Sequence, residues 1–539
     1  MQYRIGILGT PADPHIPWSD ENLTELKTLG FNTMQLNIAW GSRPADEPLN
    51  LEDVILLDSL DEKTRESVAR RQGAIKHRVA QCKKHGLRSV FHFGAPYNGA
   101  EGYQGLPLKT CISDPETLAR YVNLLKLLQD QVPGIDDLLL YTFDQDAWIC
   151  SEFQCERCKG IPLQTRLAPF LEELCDTWSA LNPKGILWWE PWEMSAGQSL
   201  SIIQFLPKHH FGLMIHSNIG EVQKTRPADP WFKNVARLAK KNGIPVVAEL
   251  FLGEACEETE PLRRVPCPEL TYAQLHAVMH VDGIVGIKEY YGLIPGNCDP
   301  CLAMAGQVFH DETSSLEGCL RRLAAPYGSQ AERVYTLWKI VSNGYMLYPW
   351  DASWYAREVG KASTDHGWSS AFIRGQQAPS PSWESSRHSV FMKVDNNEPN
   401  PFMREDLQLR FELASDTFMS ACGLSRMIAK AMTWEDSALF HQISADMDQL
   451  RRICASYAIH LRESNVAMLL RECGAPYPEH LLREMSMLLM RDNVIQRGEG
   501  RVLEIEKAFK DDPETWLNAY LLPTTEDKRE KGEFSLTTR

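Results

Sequence analysis

The chain has 539 residues, 43% of them hydrophobic, and 56 Lys+Arg against 71 Asp+Glu give a net charge of −15. That length exceeds the roughly 100–200 residues of a typical single domain, so a second domain is expected. The apolar content excludes bulk disorder, the acidic balance argues against a nucleic-acid partner, and no stretch approaches the roughly 20 apolar residues that span a bilayer.

Met1-Gln2-Tyr3-Arg4 runs straight into Ile5-Gly6-Ile7-Leu8, with no basic region, long apolar core or small-residue cleavage site. The 14 cysteines are scattered, unlike a secreted disulfide framework. A reducing, cytoplasmic location with most thiols free is therefore expected.

Short apolar, β-branched runs then recur, each followed by a polar or Gly-rich turn and a helix-period stretch. They are Arg4–Leu8, Met34–Ile38, Arg88–Phe93, Leu138–Phe143, Gly185–Trp189, Phe211–His216, Pro245–Leu250 and Gly283–Lys288. Helices are predicted between them, for example over Ser19–Leu29 and Asp114–Gln129, and Leu29-Gly30, His85-Gly86 and Asn242-Gly243 read as helix stops. Strands alternating with helices imply parallel pairing through right-handed crossovers. Eight such units predict a (β/α)8 TIM barrel over residues 1–300, with an open doubly wound sheet as the alternative. No GxGxxG follows the first strand, so no dinucleotide or other organic cofactor is expected.

A mainly α-helical C-terminal domain is predicted over 301–525, with long amphipathic helices at Leu316–Asn343, Met403–Met432, Trp434–Asn465 and Pro478–Lys510. Gln376–Asn400 reads as an irregular connection, Met485–Met490 as core packing, and residues 526–539 as a mobile charged tail. Two roles stay open for this domain. It could cover the barrel mouth with Asn343, Tyr345, Trp350 or Asp351, or build a homo-oligomer.

In a TIM barrel the active site forms at the C-terminal ends of the strands. Asp13 and His15 follow the first run, Trp40 and Arg43 the second, and His92 lies in the third. The fourth leads to Asp144 and Asp146, the fifth to Trp188, Glu190, Trp192 and Glu193, and the sixth to His216 and Asn218. The seventh carries Glu249, with Glu254 beyond it, and the eighth Lys288, Glu289 and Tyr290. Period-two alternation puts Glu190 on the face of Trp188, Glu249 on that of Val247, and His216 on that of Met214. If Leu138, Leu140 and Thr142 face inward, so does Asp144. Any one such carboxylate can simply cap a helix or pair with Arg, but a purely structural role for Asp144, Glu190 and Glu249 together is less expected.

Carboxylates ringed by indoles suit a carbohydrate substrate, because indole faces stack on the C–H faces of pyranose rings. Glycosidic cleavage needs a protonated carboxyl at the leaving oxygen and a second carboxylate opposite. Asp144 or Asp146 is expected as general acid and Glu249 or Glu190 as nucleophile or base. Asp13, His15, Trp40, Arg43, His92, Trp188, Trp192, Glu193, His216, Asn218, Lys288, Glu289 and Tyr290 are expected to bind substrate. Lys288 admits an acidic sugar.

Two other classes remain. A lyase, isomerase or aldolase would use Lys288 as a Schiff-base nucleophile, or a metal on His92, His216 and Glu249. A non-catalytic carbohydrate-binding protein would keep the tryptophans alone.

Cys150-x4-Cys155-x2-Cys158 follows the fourth run, and Cys111 lies in the loop after the third. Neighbouring barrel loops would bring the four thiolates together, which suits a structural Zn2+ site. Cys298-x2-Cys301 has no partner pair and stays unassigned.

With these residues the chain resembles the (β/α)8-barrel glycoside hydrolases over about residues 1–295. Some β-galactosidases of that superfamily hold zinc with one cysteine after strand three and three after strand four, and Cys111, Cys150, Cys155 and Cys158 look similar, with a longer Cys150–Cys155 spacing. In the large retaining group, an Asn-Glu on strand four supplies the acid/base and a Glu on strand seven the nucleophile. Here Asp144-Gln145-Asp146 stands in place of Asn-Glu, while Glu249 matches the strand-seven position. The chain resembles the hexosaminidase-like and α-glucuronidase-like barrels about as well.

Overall fold

The computed structural model describes residues 1–38, 47, 50–97, 111–142, 149–150, 155–191, 194, 196–216, 224–260, 262–350, 401–495 and 502–521. Eight parallel strands close a barrel in sequence order: β1 (Tyr3–Ile7), β2 (Thr33–Gln35), β3 (Arg88–Gly94), β4 (Asp137–Tyr141), β5 (Leu187–Glu190), β6 (Phe211–Ile215), β7 (Val246–Leu250) and β8 (Ile284–Glu289). Tyr3↔Gly286 and Ile5↔Lys288 are among the pairs that close the ring. Every predicted run is a strand, and the barrel replaces the open-sheet alternative.

Between the strands lie α1 (Asp20–Thr28), α2 (Glu62–His85), α3 (Pro115–Gln131), α4 (Leu163–Leu181), α5 (Ala196–Ile202), α6 (Pro230–Lys241) and α7 (Pro268–Met279), and α8 (Pro300–His310) follows β8. Their ends are written locally. The Ser19 hydroxyl accepts the Asn22 N–H, Asp229 accepts that of Phe232 ahead of Pro230, and Gly86 (φ 65°) stops α2 in a left-handed turn that a side chain would disfavour. The expected domain boundary at residue 300 falls at the start of α8. The Phe309 ring of that helix packs edge-on against Phe31 at 5.4 Å, and His310 bonds the Thr28 carbonyl at 2.7 Å. By packing, one unit comprises Met1–Cys256 with Leu270–Cys319, and the other Glu257–Glu269 with Leu320–Arg539.

Residues in register on parallel strands face the same way, which fixes what the barrel encloses. Tyr3, Ile5, Val90, Leu139, Trp188, Met214 and Val247 form one buried cluster inside it. Gly212 admits the Trp188 indole, since a Cβ there would lie 2.3 Å from the ring. The expected facing of β4 is reversed. Leu139 points inward, in register with His92 and Trp188, and Tyr141 pairs with Glu190, whereas Thr142 accepts a hydrogen bond from the outward Trp189 indole at 3.2 Å. All residues of β4 are buried, so its apolar sequence carried no period to choose a face.

The other unit is helical: α9 (Leu316–Ala324) runs into it, followed by α10 (Ala331–Leu347), α11 (Pro401–Ala431), α12 (Trp434–Cys473), α13 (Glu479–Ile495), α14 (Val502–Asp511) and α15 (Pro513–Leu521). Two predicted long helices are broken. Leu316–Asn343 divides at a 3-10 turn holding Pro326 and Gly328 (φ 56°), and Pro478–Lys510 divides into α13 and α14. Met485 is buried as expected, but Met487 and Met490 of the same helix are exposed. Tyr345 hydrogen-bonds Glu258 and packs on Trp350, all buried within this unit. Asp351, the connection 376–400 and the tail 526–539 lie outside the described residues.

A charged cluster joins α12 to α13. His460 Nε2 lies 2.9 Å from Asp492 Oδ2, the Ser456 hydroxyl donates to Asp492 Oδ1 at 2.6 Å, and Glu463 is buried beside them. Burial opposes the His460 charge, but Asp492 and Glu463 outweigh it and raise its pKa. Burial, with the Asp492 charge and against that of His460, pushes Glu463 up to about 8. Both folded-state pKa values lie above the ordinary ones. Stability from His460 is therefore full below about 6.5 and that from Glu463 full below its ordinary 4.5. Each contribution is lost as pH rises through the folded value. Hydrogen-exchange protection of α12 and α13 is expected to fall as pH rises from about 4.5 to about 8, and Glu463→Gln is expected to flatten that fall.

Candidate active site

At the upper ends of the strands the inward positions change from apolar to ionisable. His92, Glu190, His216, Glu249 and Lys288 are all buried, at 4% exposure or less. They come from β3, β5, β7 and β8 and from the residue just past β6. Glu190, His216 and Glu249 each bring a side-chain N or O within 4.8 Å of the other two. His92 Nε2 is 3.3 Å from Glu190 Oε2, and Lys288 Nζ donates to Glu249 Oε1 at 2.8 Å. Burial and the Glu190 charge push the Glu249 carboxyl up to about 7, against the pull of Lys288 and His216. Glu190, His216 and Glu249 could between them admit a cation, and Lys288 already donates to one Glu249 oxygen.

Aromatic rings flank the group. Tyr141 lies 5.0 Å from the His92 ring, and Tyr290 meets His216 edge-on at 5.8 Å. Tyr141, Phe251, Cys256, Tyr290 and Tyr291 form a buried cluster. Tyr141 was missed in the sequence because the facing of β4 was misassigned.

Several expected substrate contacts sit elsewhere. Trp188 shares the inward face with Glu190 but lies two residues below it, fully buried among Tyr3, Met214 and Val247, and offers no face for stacking a sugar. Glu289 points away from the mouth and accepts three backbone N–H groups, from Leu252 (2.7 Å), Tyr291 (2.8 Å) and Gly292 (3.1 Å). It braces the ends of β7 and β8. Lys288 is engaged by Glu249. Asp13 closes a turn with Thr10, and His15 is exposed in the same loop. Trp40, Arg43, Asp144, Asp146, Trp192, Glu193 and Asn218 lie outside the described residues.

Below the loop that follows Glu249, a buried polar brace holds the backbone. Lys224 Nζ donates to the Gly253 carbonyl at 2.7 Å, and Asp299, the N-cap of α8, accepts the Glu254 N–H at 2.7 Å.

The four expected cysteines converge. Sγ–Sγ distances are 3.5 Å for Cys111–Cys158, 3.6 Å for Cys150–Cys158 and 3.7 Å for Cys155–Cys111. None of the four is in a disulfide. Four thiolates at about 2.3 Å from one tetrahedral ion lie about 3.8 Å apart, so the cluster could hold a metal. Burial pushes the Cys111 thiol up to about 11 and raises that of Cys150, whereas hydrogen bonds with Ser113 and Arg166 pull the Cys158 thiol down to about 6 against the cost of its own burial. Cys298 is exposed and Cys301 buried, and neither joins a second cluster among the described residues.

Replacing Glu289 by Ala would orphan three buried N–H groups. It is expected to destabilise the fold by about 3 kcal/mol or more, measured by denaturant unfolding.

No family model and no curated protein matches the sequence. Among solved structures, a GH138 enzyme targeting pectin rhamnogalacturonan II is similar at TM-score 0.60 and 11% identity, covering 92% of this chain. This chain spans 62% of that enzyme. A Thermobaculum terrenum O-GlcNAc hydrolase follows at TM-score 0.40 and 12% identity (99% and 97% of the two chains). A glycoside hydrolase family 5 enzyme from Prevotella bryantii follows at 0.36 and 11% (54% and 86%). At such identities the likeness is one of fold, and the fold is the (β/α)8 barrel.

Proposed function

We propose that this protein is a retaining glycoside hydrolase whose catalytic pair is Glu190 and Glu249. The observation that carries the reading is that Glu190 and Glu249 each bring one carboxylate oxygen to within 4.8 Å of the other's at the top of a closed (β/α)8 barrel. Retaining enzymes hold their carboxyl groups about 5–5.5 Å apart, whereas inverting ones leave about 6.5–9.5 Å for a water. One carboxylate attacks the anomeric carbon while the other protonates the departing oxygen, and water then releases the sugar as the proton is returned. The buried setting supplies what this needs, because two close carboxylates in low dielectric share a proton near neutral pH. The substrate is a carbohydrate. The likeness to an enzyme that targets pectin supports placing pectic and uronic sugars first among candidates.

The test is release of nitrophenol from a panel of nitrophenyl glycosides, including uronic acids and N-acetylhexosamines, alongside pectin oligosaccharides. Glu190→Gln and Glu249→Gln are each expected to lower kcat by about 10²–10⁴ without unfolding the chain, and the first sugar released is expected to keep its anomeric configuration. Activity that survives both changes but is lost in Asp144→Asn or Asp146→Asn would move the catalytic roles to those residues. Absence of release, with borohydride trapping of a carbonyl compound on Lys288, would favour the lyase reading.

The cysteine cluster is proposed to hold one structural Zn2+, which would tie the start of α3 to the segment ahead of α4. Metal analysis of the purified chain is expected to find one zinc. Cys158→Ser is expected to lose it and to lower Tm by at least about 5 °C. Full zinc content in that variant would remove the assignment.

A further inference from the structure

We propose that Glu190, His216 and Glu249 form an exchangeable site for one divalent transition-metal cation, and that the seated ion stops hydrolysis by tying up both carboxylates. The site goes beyond the glycoside hydrolase reading, and only the inhibition rests on it.

The geometry is that of a three-ligand centre. Two carboxylates and an imidazole, from β5, from β7 and from just past β6, each bring one donor atom within 4.8 Å of the other two. All three side chains are buried, unlike the acidic clusters common on protein surfaces. Donors held about 2.0–2.2 Å from one ion stand about 3–3.5 Å apart, so capture draws the three together by small side-chain rotations.

A second observation is independent of that spacing. Glu249 is fully buried, its Oε1 accepts from Lys288 at 2.8 Å, and its Oε2 has no hydrogen-bond partner among the described residues. A buried carboxylate oxygen without a partner is costly, and a cation on that oxygen removes the cost.

The surroundings also suit ligands. His92 Nε2 lies 3.3 Å from Glu190 Oε2, Lys288 fixes Glu249, and the Tyr290 ring meets His216 edge-on at 5.8 Å. Contacts of this kind orient ligating side chains. An imidazole beside two carboxylates favours Mn2+, Fe2+, Co2+ or Zn2+ over Mg2+ and Ca2+, which take oxygen ligands. The Lys288 ammonium opposes the ion by charge, so the ion exchanges rather than stays. Four thiolates select Zn2+, which makes Mn2+ the probe that reads this site and not the cysteine cluster.

The experiment has two arms, so that each idea can fail alone. Without substrate, the full-length, zinc-loaded chain is titrated with MnCl2, and free Mn2+ is followed by its six-line electron paramagnetic resonance signal. The titration is run at pH 8, above the value of about 7 to which burial and the Glu190 charge raise Glu249. One Mn2+ per chain is expected. His216→Ala and Glu190→Gln are each expected to weaken it by at least about tenfold. Lys288→Met is expected to tighten it by at least about tenfold, because removing a cation a few ångströms from the ion outweighs the loss of one orienting bond. Absence of binding, or binding that His216→Ala and Glu190→Gln leave unchanged, overturns the proposal whatever the enzyme hydrolyses. Loss of binding in Lys288→Met overturns the placing of the ion on Glu249. Where circular dichroism shows an unfolded variant, His216→Gln and Lys288→Gln are read in the same way.

With substrate, Mn2+ is added to the wild type acting on the nitrophenyl glycoside it cleaves. The apparent KM is expected to rise with kcat unchanged, with an inhibition constant equal to the Kd from the titration. Bound Mn2+ that leaves cleavage unchanged or accelerates it overturns the inhibition. A wild type that cleaves no glycoside overturns the hydrolase reading, and the inhibition with it, while the titration still decides the cation site.

Discussion

Two carboxylates brought together and buried at the top of a barrel repel one another and lose their hydration. The arrangement stands only if positive charge and protons are supplied locally. Here the supply is built into the sheet. Lys288 is the register partner of Glu249, so the cation is placed by the same backbone pairing that closes β7 onto β8. His216 and His92 add imidazoles from just past β6 and from β3. Breaking the Lys288–Glu249 pair would leave a buried charge uncompensated, which couples the stability of the barrel top to the chemistry proposed for it.

The layer beneath makes this geometry rigid. Trp188 fills the barrel interior against Tyr3, Met214 and Val247, and the absence of a side chain at Gly212 is what lets an indole of that size enter. The braces around the strand ends are polar and local: Glu289 ties the ends of β7 and β8, and Lys224 and Asp299 hold the backbone just beyond Glu249. Acidic residues near the mouth thus divide into those that face the interior and those spent on backbone N–H groups, and strand parity decides which is which.

The cysteine cluster and the buried His460–Asp492–Glu463 group make the same use of ionisable side chains in different places. Each gathers groups that are costly to bury alone and satisfies them mutually, one set with thiols suited to a metal and the other with a shared proton inventory between α12 and α13.

The (β/α)8 barrel, the helical region after it, the four convergent cysteines and the candidate carboxylates Glu190 and Glu249 were all determined by the sequence itself. Periodicity, turn residues and motif spacing are local properties, and they survive without a partner strand. The facing of β4, the burial of Trp188, the structural duty of Glu289 and the engagement of Lys288 by Glu249 were decided only by tertiary structure. An apolar strand such as Asp137–Tyr141 has no polar residue to mark its outside, and a strand-end carboxylate carries no sign of whether it meets a cation, a second carboxylate or a row of N–H groups. Those partners lie tens of residues away in the chain, and closure of the barrel is what brings them within hydrogen-bonding distance.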